Sequence, residues 1–212
     1  MTQSQPARAP GRRETTVERR REIAAAARSL VAEKGFEGLR TRDIADRVGI
    51  NVATLHYHVP TKQALVELVG ESLRDEFRDI HLARPRDRMG PAELLQADLD
   101  DHRHLFFERS ELMAVFGELK ERASRDATIR GILTNLRAVW HGHLSAVLGA
   151  GRDCGTFRGD LDPDAAAWMI ISAVVGFRGS AAPSRERYDA VAAEIMRSVR
   201  NPADAGRTER PG

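Results

Sequence analysis

The sequence predicts an all-α protein with an N-terminal three-helix unit containing a helix-turn-helix and a larger C-terminal helical domain. Aromatic residues make up 5% of the 212 residues, whereas alanine, leucine and arginine, which favour helices, are abundant. Apolar residues recur three and four positions apart in most segments, which is the helical period. Between residues 38 and 62 two short helical segments flank a glycine, and the second carries histidine and tyrosine.

The N-terminal segment contains a tail and a first helix. Residues 1–15 lack apolar periodicity and predict a disordered basic tail. Apolar residues from Ile23 to Val31 form one stripe at positions i, i+3, i+4, i+7 and i+8, which predicts a helix with one buried face. Gly35 is predicted to end that helix, and Phe36 to fold back against it.

The helix-turn-helix is predicted from the spacing of its capping residues. The first helix of the pair spans 41–48, with Thr41 as its expected cap and Gly49 as its end. Asn51 is expected to cap the second helix, which spans 52–58. The face of that helix opposite Leu55 carries small or flat side chains that suit a DNA groove, namely Val52, Ala53, His56 and Tyr57. The sequence therefore predicts a DNA-binding domain over residues 16–61.

Residues 62–200 predict a second, larger helical domain, followed by a disordered tail at 201–212. An apolar pattern predicts a long helix from Lys62 to about Leu82, leading away from the DNA-binding domain, and Thr61 is expected to cap it. Prolines and charges predict a loop at 84–91. Helices are then predicted at 92–109, 111–121 and 126–148. The glycines at 149, 151, 155 and 159 are predicted to mark the next connection. Asp162 and Ser184 are expected to cap the last two helices.

Charge and cysteine content restrict the class of protein. Residues 1–62 hold 12 basic and 7 acidic residues, and the remainder holds 21 and 24, so the N-terminal part suits a polyanion. The single cysteine excludes an internal disulfide framework and a multi-cysteine zinc site. The N-terminus lacks the apolar core of a signal peptide, and no apolar run reaches the ~20 residues of a membrane span. We therefore expect a cytoplasmic location and no membrane partner.

Several segments between residues 21 and 65 resemble the TetR-type bacterial transcriptional regulators. The matching segments are the alanine-rich 21–30, Glu33–Phe36, Thr41–Ala45, Val48–Gly49, Thr54–Val59 and Lys62–Leu65. His56 stands where the family usually has tyrosine, and Val59 where phenylalanine is commoner. The resemblance implies that DNA is contacted by Thr41, Arg42, Val52, Ala53, Thr54, His56, Tyr57, His58 and Lys62. In that assignment Thr41 and Lys62 touch phosphates, and Arg42 can pair with a guanine edge.

The C-terminal half resembles a common effector-domain pattern of the same family through residues 118–126, 155–158 and 162–167. The segment 165–177 is apolar nearly all round, so one face needs a partner, and a second copy of the chain is the economical one. Together with the stripe at 188–199 it predicts a four-helix dimer interface of Trp168, Ile171, Val174, Val175, Tyr188, Val191, Ile195 and Val199. A small-molecule pocket is predicted among Phe106, Phe107, Met113, Phe116, Trp140, His143, Trp168 and Phe177.

Neither a metal site, a cofactor nor an enzyme is predicted. The histidine pairs 102/104 and 141/143 are two residues apart, so they point apart on a helix. The sequence lacks Gly-x-Ser-x-Gly, His-Glu-x-x-His and Gly-x-x-x-x-Gly-Lys. The predicted function is a ligand-responsive DNA-binding regulator, a repressor that binds a palindromic operator as a homodimer and is released by a small molecule. A helical small-molecule-binding protein without DNA-binding activity is the alternative, and activation in place of repression stays open.

Overall fold

The computed structural model describes residues 16–179 and 183–202, and within these ranges the regular elements are all α-helices. Their bounds are α1 Thr16–Lys34, α2 Thr41–Val48, α3 Val52–His58, α4 Lys62–Leu82, α5 Pro91–Phe107, α6 Ser110–Arg122, α7 Ala127–Asp153, α8 Pro163–Phe177 and α9 Arg185–Val199. The predicted tail at 1–15, and the tail at 201–212 beyond residue 202, lie outside the described residues. None of the described helices is long and apolar enough to cross a membrane.

The start and end signals of the helix-turn-helix are confirmed with one exception. Gly49 adopts a left-handed conformation with φ of 74° and ends α2. Asn51 Oδ1 accepts the backbone N–H of Thr54 at 2.7 Å and caps α3. The prediction that Thr41 caps α2 is wrong, because Arg40 occupies the cap position without a side-chain hydrogen bond. Thr41 is instead the first helical residue.

The caps of the later helices are confirmed. Thr61 Oγ1 accepts the N–H of Ala64 at 3.0 Å at the start of α4. Asp162 Oδ1 accepts two backbone N–H groups at the start of α8, and Ser184 Oγ accepts one at the start of α9. These short polar side chains satisfy helix N–H groups that have no partner within the helix.

The end of α7 differs from the prediction. Gly149 and Gly151 lie inside α7, which continues to Asp153, so the connection to α8 spans only 154–162. Gly151 is needed because the ring of Phe157 packs directly on the helix backbone. A Cβ at this position would lie 2.0 Å from Cδ2 of Phe157, which is fully buried. The glycine therefore marks a close approach and not the end of a helix.

Two hydrophobic clusters form the interior. The first joins α1, α2 and α3 with α4, α6 and the start of α7, and it includes Ile23, Ile44, Leu55, Val69 and Leu119. The second joins α5, α8, α9 and the C-terminal half of α7. Because the first cluster contains residues on both sides of residue 61, α1–α3 share one packed core with the helices that follow them.

Most of the predicted dimer residues lie inside the chain's own second cluster. Ile171, Val174, Tyr188, Ile195 and Val199 are all buried within the single chain, and their place in a dimer interface stays a prediction. They are buried because α5, α7, α8 and α9 pack on one another, and Tyr188 donates its hydroxyl to the Leu99 carbonyl at 2.9 Å. Val175 and Val191 are half-buried and Trp168 is exposed.

The outer face of α8 is an uncharged stripe of exposed residues. It consists of Ala165, Trp168, Met169, Ser172 and Gly176, which follow one another at helical spacing. Trp168 and Met169 are 44% and 49% exposed, which is high for large apolar side chains. We call this surface the α8 stripe.

Candidate functional site

The α3 helix presents a free outer face. Leu55 and Val59 anchor it in the core, while Val52, Ala53, His56 and Tyr57 are exposed on the other side. Tyr57 is 80% exposed, although a tyrosine with no outside partner would normally bury its ring. Thr54 and His58 are half-buried. A short helix with an exposed, uncharged and partly aromatic face has the shape of an element that enters a DNA groove.

Cations flank this face on neighbouring elements. Thr41 and Arg42 are exposed at the start of α2, and Lys62 is exposed at the start of α4. Neither Arg42 nor Lys62 forms an ion pair with any residue that the structure describes. Arg47 differs, since its guanidinium donates to both carboxylate oxygens of Glu33, at 2.7 and 3.0 Å. The charges of Arg42 and Lys62 are therefore available to an external anion such as phosphate.

A cavity of about 910 Å³ opens in the effector domain among α4, α5, α6, α7 and α8. Five of the predicted pocket residues line it, namely Phe106, Met113, Phe116, Trp140 and His143. The other three lie outside the lining of this cavity, and their place in a ligand pocket stays a prediction. Phe107 and Phe177 pack against Tyr188, while Trp168 stacks on His141 at the surface.

Apart from His143, the polar residues of the cavity wall were not predicted from the sequence. They include His81, Asp98, Asp101, His102 and Arg178. The signal that could have found them is the position of Asp98 and Asp101 on the buried face of α5, since acidic residues are seldom buried without a partner. Arg178 carries no such signal, because it lies just beyond the end of α8.

Asp98 is the centre of a polar network at one end of the cavity. His143 Nε2 lies 2.8 Å from Asp98 Oδ2, and Arg86 donates to Asp98 Oδ1 at 2.8 Å. A second nitrogen of Arg86 donates to Asp101, so one guanidinium holds both carboxylates. The two buried acids are thus compensated by residues of the α4–α5 loop and α7.

The pKa values of this network reflect burial and the charge of Arg86. Burial lowers the pKa of His81, and the nearby Arg86 lowers it further. Burial also lowers the pKa of His102, whose ring stacks on Trp140 at 4.1 Å. Burial raises the pKa of Asp101, although Arg86 and Arg84 act in the opposite direction. His81 and His102 therefore favour the neutral form near pH 7.

One group of described residues has the composition of a metal site. Ligand atoms of His81, Asp98 and His143 all lie within 4.8 Å of one another, and such a set of two histidines and one carboxylate suits a divalent transition metal. Arg86 already supplies positive charge at Asp98, and its guanidinium would repel a cation there. The contacts of these residues are those of a hydrogen-bonded network centred on Asp98.

The α6 helix, which lines the cavity, also contacts the turn after α1. Glu118 Oε2 accepts the backbone N–H of Phe36 at 3.2 Å, and Arg122 lies over the Phe36 ring at 5.5 Å. Phe36 itself is buried between the helices. Since Met113 and Phe116 line the cavity one to two turns earlier in α6, this helix touches both the cavity and the turn after α1.

Curated relatives of this chain are transcriptional regulators. The repressor KstR2 of Rhodococcus jostii strain RHA1 is 28% identical over 166 residues, which cover 72% of this chain and 78% of that protein. The regulator CymR of Pseudomonas putida is 26% identical over 188 residues, covering 84% and 87%.

Solved structures share the fold. A chain described as a transcriptional regulator from Saccharomonospora viridis, in complex with choline, matches with a TM-score of 0.78 at 21% identity, covering 87% of this chain and 98% of that one. A TetR transcription regulator from Haloarcula marismortui matches with a TM-score of 0.76 at 24% identity, covering 87% and 99%. At these identities the likeness shows the fold alone.

Family models match both parts of the chain. Residues 23–69 match bacterial regulatory proteins of the tetR family, and residues 91–200 match the C-terminal region of BetI-type transcriptional repressors. The second match alone spans more than half of the chain. The chain therefore belongs to the tetR family of bacterial regulatory proteins, and it is a ligand-responsive, DNA-binding transcriptional regulator.

Proposed function

We propose that the protein is a dimeric repressor that occupies a near-palindromic operator and leaves it when a small molecule enters the 910 Å³ cavity. The observation that carries this proposal is the exposed outer face of α3, flanked by Arg42 and Lys62, which form no ion pair with any described residue. The relatives named as repressors support repression, and the choline complex of a structural neighbour supports a small-molecule effector. No membrane has a part in this proposal.

The DNA-contacting residues proposed are those of the exposed α2–α4 surface. Arg42 reads a guanine edge, because its planar guanidinium can donate two parallel hydrogen bonds. Val52 and Ala53 offer apolar contact to thymine methyl groups. Thr41 and Lys62 hold phosphates, which positions the helix without reading sequence. Thr54, His56, Tyr57 and His58 complete the surface.

The proposed partner is a second copy of the chain, docked through the α8 stripe. Its five residues carry no charge, and Trp168 offers a large ring area of the kind that anchors interfaces. Val175 and Val191 are half-buried and pack against the second cluster. A twofold dimer would place two α3 helices on half-sites one DNA turn apart, about 34 to 36 Å, or a multiple of that distance.

Release is proposed to follow from two helices that touch both the cavity and the DNA-binding head. The α4 helix begins beside α3 and supplies Phe77 and His81 to the cavity wall. The α6 helix supplies Phe116 to the cavity, and Glu118 binds the turn after α1. A ligand that fits only one arrangement of these helices lowers DNA affinity, and DNA must lower ligand affinity by the same factor.

Binding to the DNA immediately upstream of the chain's own gene tests the DNA-binding function. The wild type is expected to retard that fragment and not a shuffled control. Val52→Glu should weaken binding at least tenfold, because it places a negative charge on the face that meets the phosphate-lined groove. Leu82→Glu is the matched control, since Leu82 is an exposed apolar residue at the far end of α4.

The opposite result would favour the alternative function. If neither the upstream fragment nor any fragment selected from the genome is bound, the protein is a helical small-molecule-binding protein without DNA-binding activity. Circular dichroism of each variant confirms that loss of binding does not come from unfolding.

A further inference from the structure

We propose that the effector is an organic oxyanion with an apolar body, a carboxylate being the simplest case, and that Arg178 binds its charged group. This inference rests on the proposed small-molecule function of the cavity and names the chemical class of its ligand. It is carried by the charges that line the cavity. The half-buried cation Arg178 has no counter-ion among the described residues, whereas the buried acids Asp98 and Asp101 have theirs.

Arg178 is a half-buried cation in the cavity wall without an anionic partner. It follows the last turn of α8, donates to the backbone carbonyl of Met113, and lies over the Phe116 ring at 5.4 Å. No carboxylate in the described ranges forms an ion pair with it, and burial lowers its pKa. A neutral carbonyl and a ring face do not neutralise a guanidinium, so an anion entering beside it relieves the cost of burying that charge.

The acidic residues of the cavity are already compensated. Asp98 and Asp101 share the guanidinium of Arg86, and Asp98 is also bonded to His143. A cationic ligand at this end would have to displace Arg86 or approach it at close range. The Asp98 network is therefore a poor site for a cation, in spite of its two carboxylates.

The other cations of the cavity strengthen the preference for an anion. Arg74 and Arg78 line the wall but pair with Asp75. Lys120 and Arg137 are exposed residues of the wall and form no ion pair in the part of the chain that the structure describes. Positive charge at an opening attracts anions over longer distances, whereas Arg178 can contact them inside.

The body of the ligand is defined by the apolar walls. Phe77 and Phe116 lie with their ring centroids 6.1 Å apart, and Leu133, Leu136 and Met113 continue the surface. A volume of about 910 Å³ is in the upper part of the range for sites that enclose drug-sized molecules. A medium-length alkyl chain or a small ring system satisfies these walls.

Three probes with the same ten-carbon chain and different head groups test the charge preference. Decanoate, 1-decanol and decyltrimethylammonium are titrated into the wild-type protein by calorimetry, below their micelle-forming concentrations. Decanoate is expected to bind at least tenfold more tightly than either of the others. Equal binding, tighter binding of decyltrimethylammonium, or no binding of any probe overturns the proposal.

Variants of Arg178 assign the preference to that residue. Arg178→Gln should remove the tenfold advantage of decanoate over 1-decanol while leaving 1-decanol affinity unchanged. Arg178→Lys keeps the positive charge and should retain most of the advantage of decanoate over 1-decanol. Arg125→Gln is the matched control, because Arg125 is an exposed arginine outside the cavity wall. Its loss should change decanoate affinity less than threefold.

The outcomes separate this inference from the proposed function. Probe binding is measured without DNA, and DNA binding is measured without probes. Retained DNA binding with no preference for decanoate overturns the anionic ligand and leaves the regulator intact. If Arg178→Gln unfolds the protein, the head-group preference of the wild type and of Arg178→Lys still decides the matter.

Discussion

At the scale of single residues, Arg42 and Lys62 are two exposed cations with different expected tasks. Arg42→Ala should cost about 1 to 3 kcal/mol of binding and relax preference at one base pair, because it removes a base contact. Lys62→Ala should weaken binding to all sequences and flatten the dependence of log affinity on log salt by about one unit, because one phosphate contact is lost. Titrations at several salt concentrations on operator and mutated operator distinguish the two.

Arg47 supplies the control for that experiment. It lies on the same helix as Arg42, but its guanidinium is bound to Glu33. Arg47→Ala should leave the salt slope unchanged. A slope that falls equally for Arg47→Ala and Lys62→Ala would mean that general positive charge, and not a specific phosphate contact, governs binding.

Residue-level prediction succeeds where the cause is local. Asn51, Thr61 and Asp162 were predictable caps because a short polar side chain needs only the next three residues to act. The Asp98–Arg86–His143 network was not predictable, since its members come from α5, a loop and α7. Spacing along one helix shows which residues share a face and says nothing about what faces them.

At the scale of elements, Gly151 decides how the end of α7 packs. Gly151→Ala should destabilise the protein by about 1 to 3 kcal/mol, because the new Cβ would overlap the buried Phe157 ring and force a backbone shift. Gly142→Ala on the same helix is the control. No neighbouring atom lies within 4 Å of its added Cβ, so we expect a gain of about 0.5 to 1 kcal/mol from helix propensity.

Urea unfolding followed by circular dichroism, at one protein concentration, measures both variants. Equal stability of the two would mean that the connection at 154–162 moves freely enough to absorb the methyl group. That result would also remove the close approach of Phe157 as the reason for a glycine here.

Gly151 also shows where element boundaries escape sequence reasoning. Gly49 and Gly151 look alike in the sequence, yet one has φ of 74° and ends a helix, and the other lies within one. The first serves backbone conformation, which is local. The second serves contact with a residue from the following loop, which is known only once the chain has folded.

At the scale of the whole molecule, the two hydrophobic clusters hold different sets of helices together. The first fixes the DNA-binding head to α4 and α6, and the second fixes α8 and α9 to α5 and α7. The cavity takes Phe77, Phe116 and Leu133 from helices of the first cluster and Phe106 and Trp140 from the second. A ligand between them acts on the packing of one against the other, because packed interiors shift between discrete arrangements and do not deform continuously.

The sequence predicts that α8 buries more than one face. It does not predict which face stays exposed in the single chain. The composition of α8 is apolar nearly all round, and the structure uses Ile171 and Val174 for the chain's own core. Arginine at either position would place an unpaired charge in that core and unfold the chain. Such variants would therefore not report on a dimer.

The α8 stripe gives the sharper test of the dimer. Trp168→Arg and Met169→Arg together introduce two like charges at a twofold interface while leaving the single chain's core intact, because both side chains are exposed. We expect the wild type to have the mass of two chains by light scattering and the double variant to have the mass of one. Operator affinity should fall with the loss of the dimer, since a monomer engages a single half-site. Leu82→Arg, at a residue that is 66% exposed on α4, is the matched control and should remain dimeric. A wild-type monomer without DNA, or a double variant that stays dimeric, would mean that the α8 stripe is not the interface.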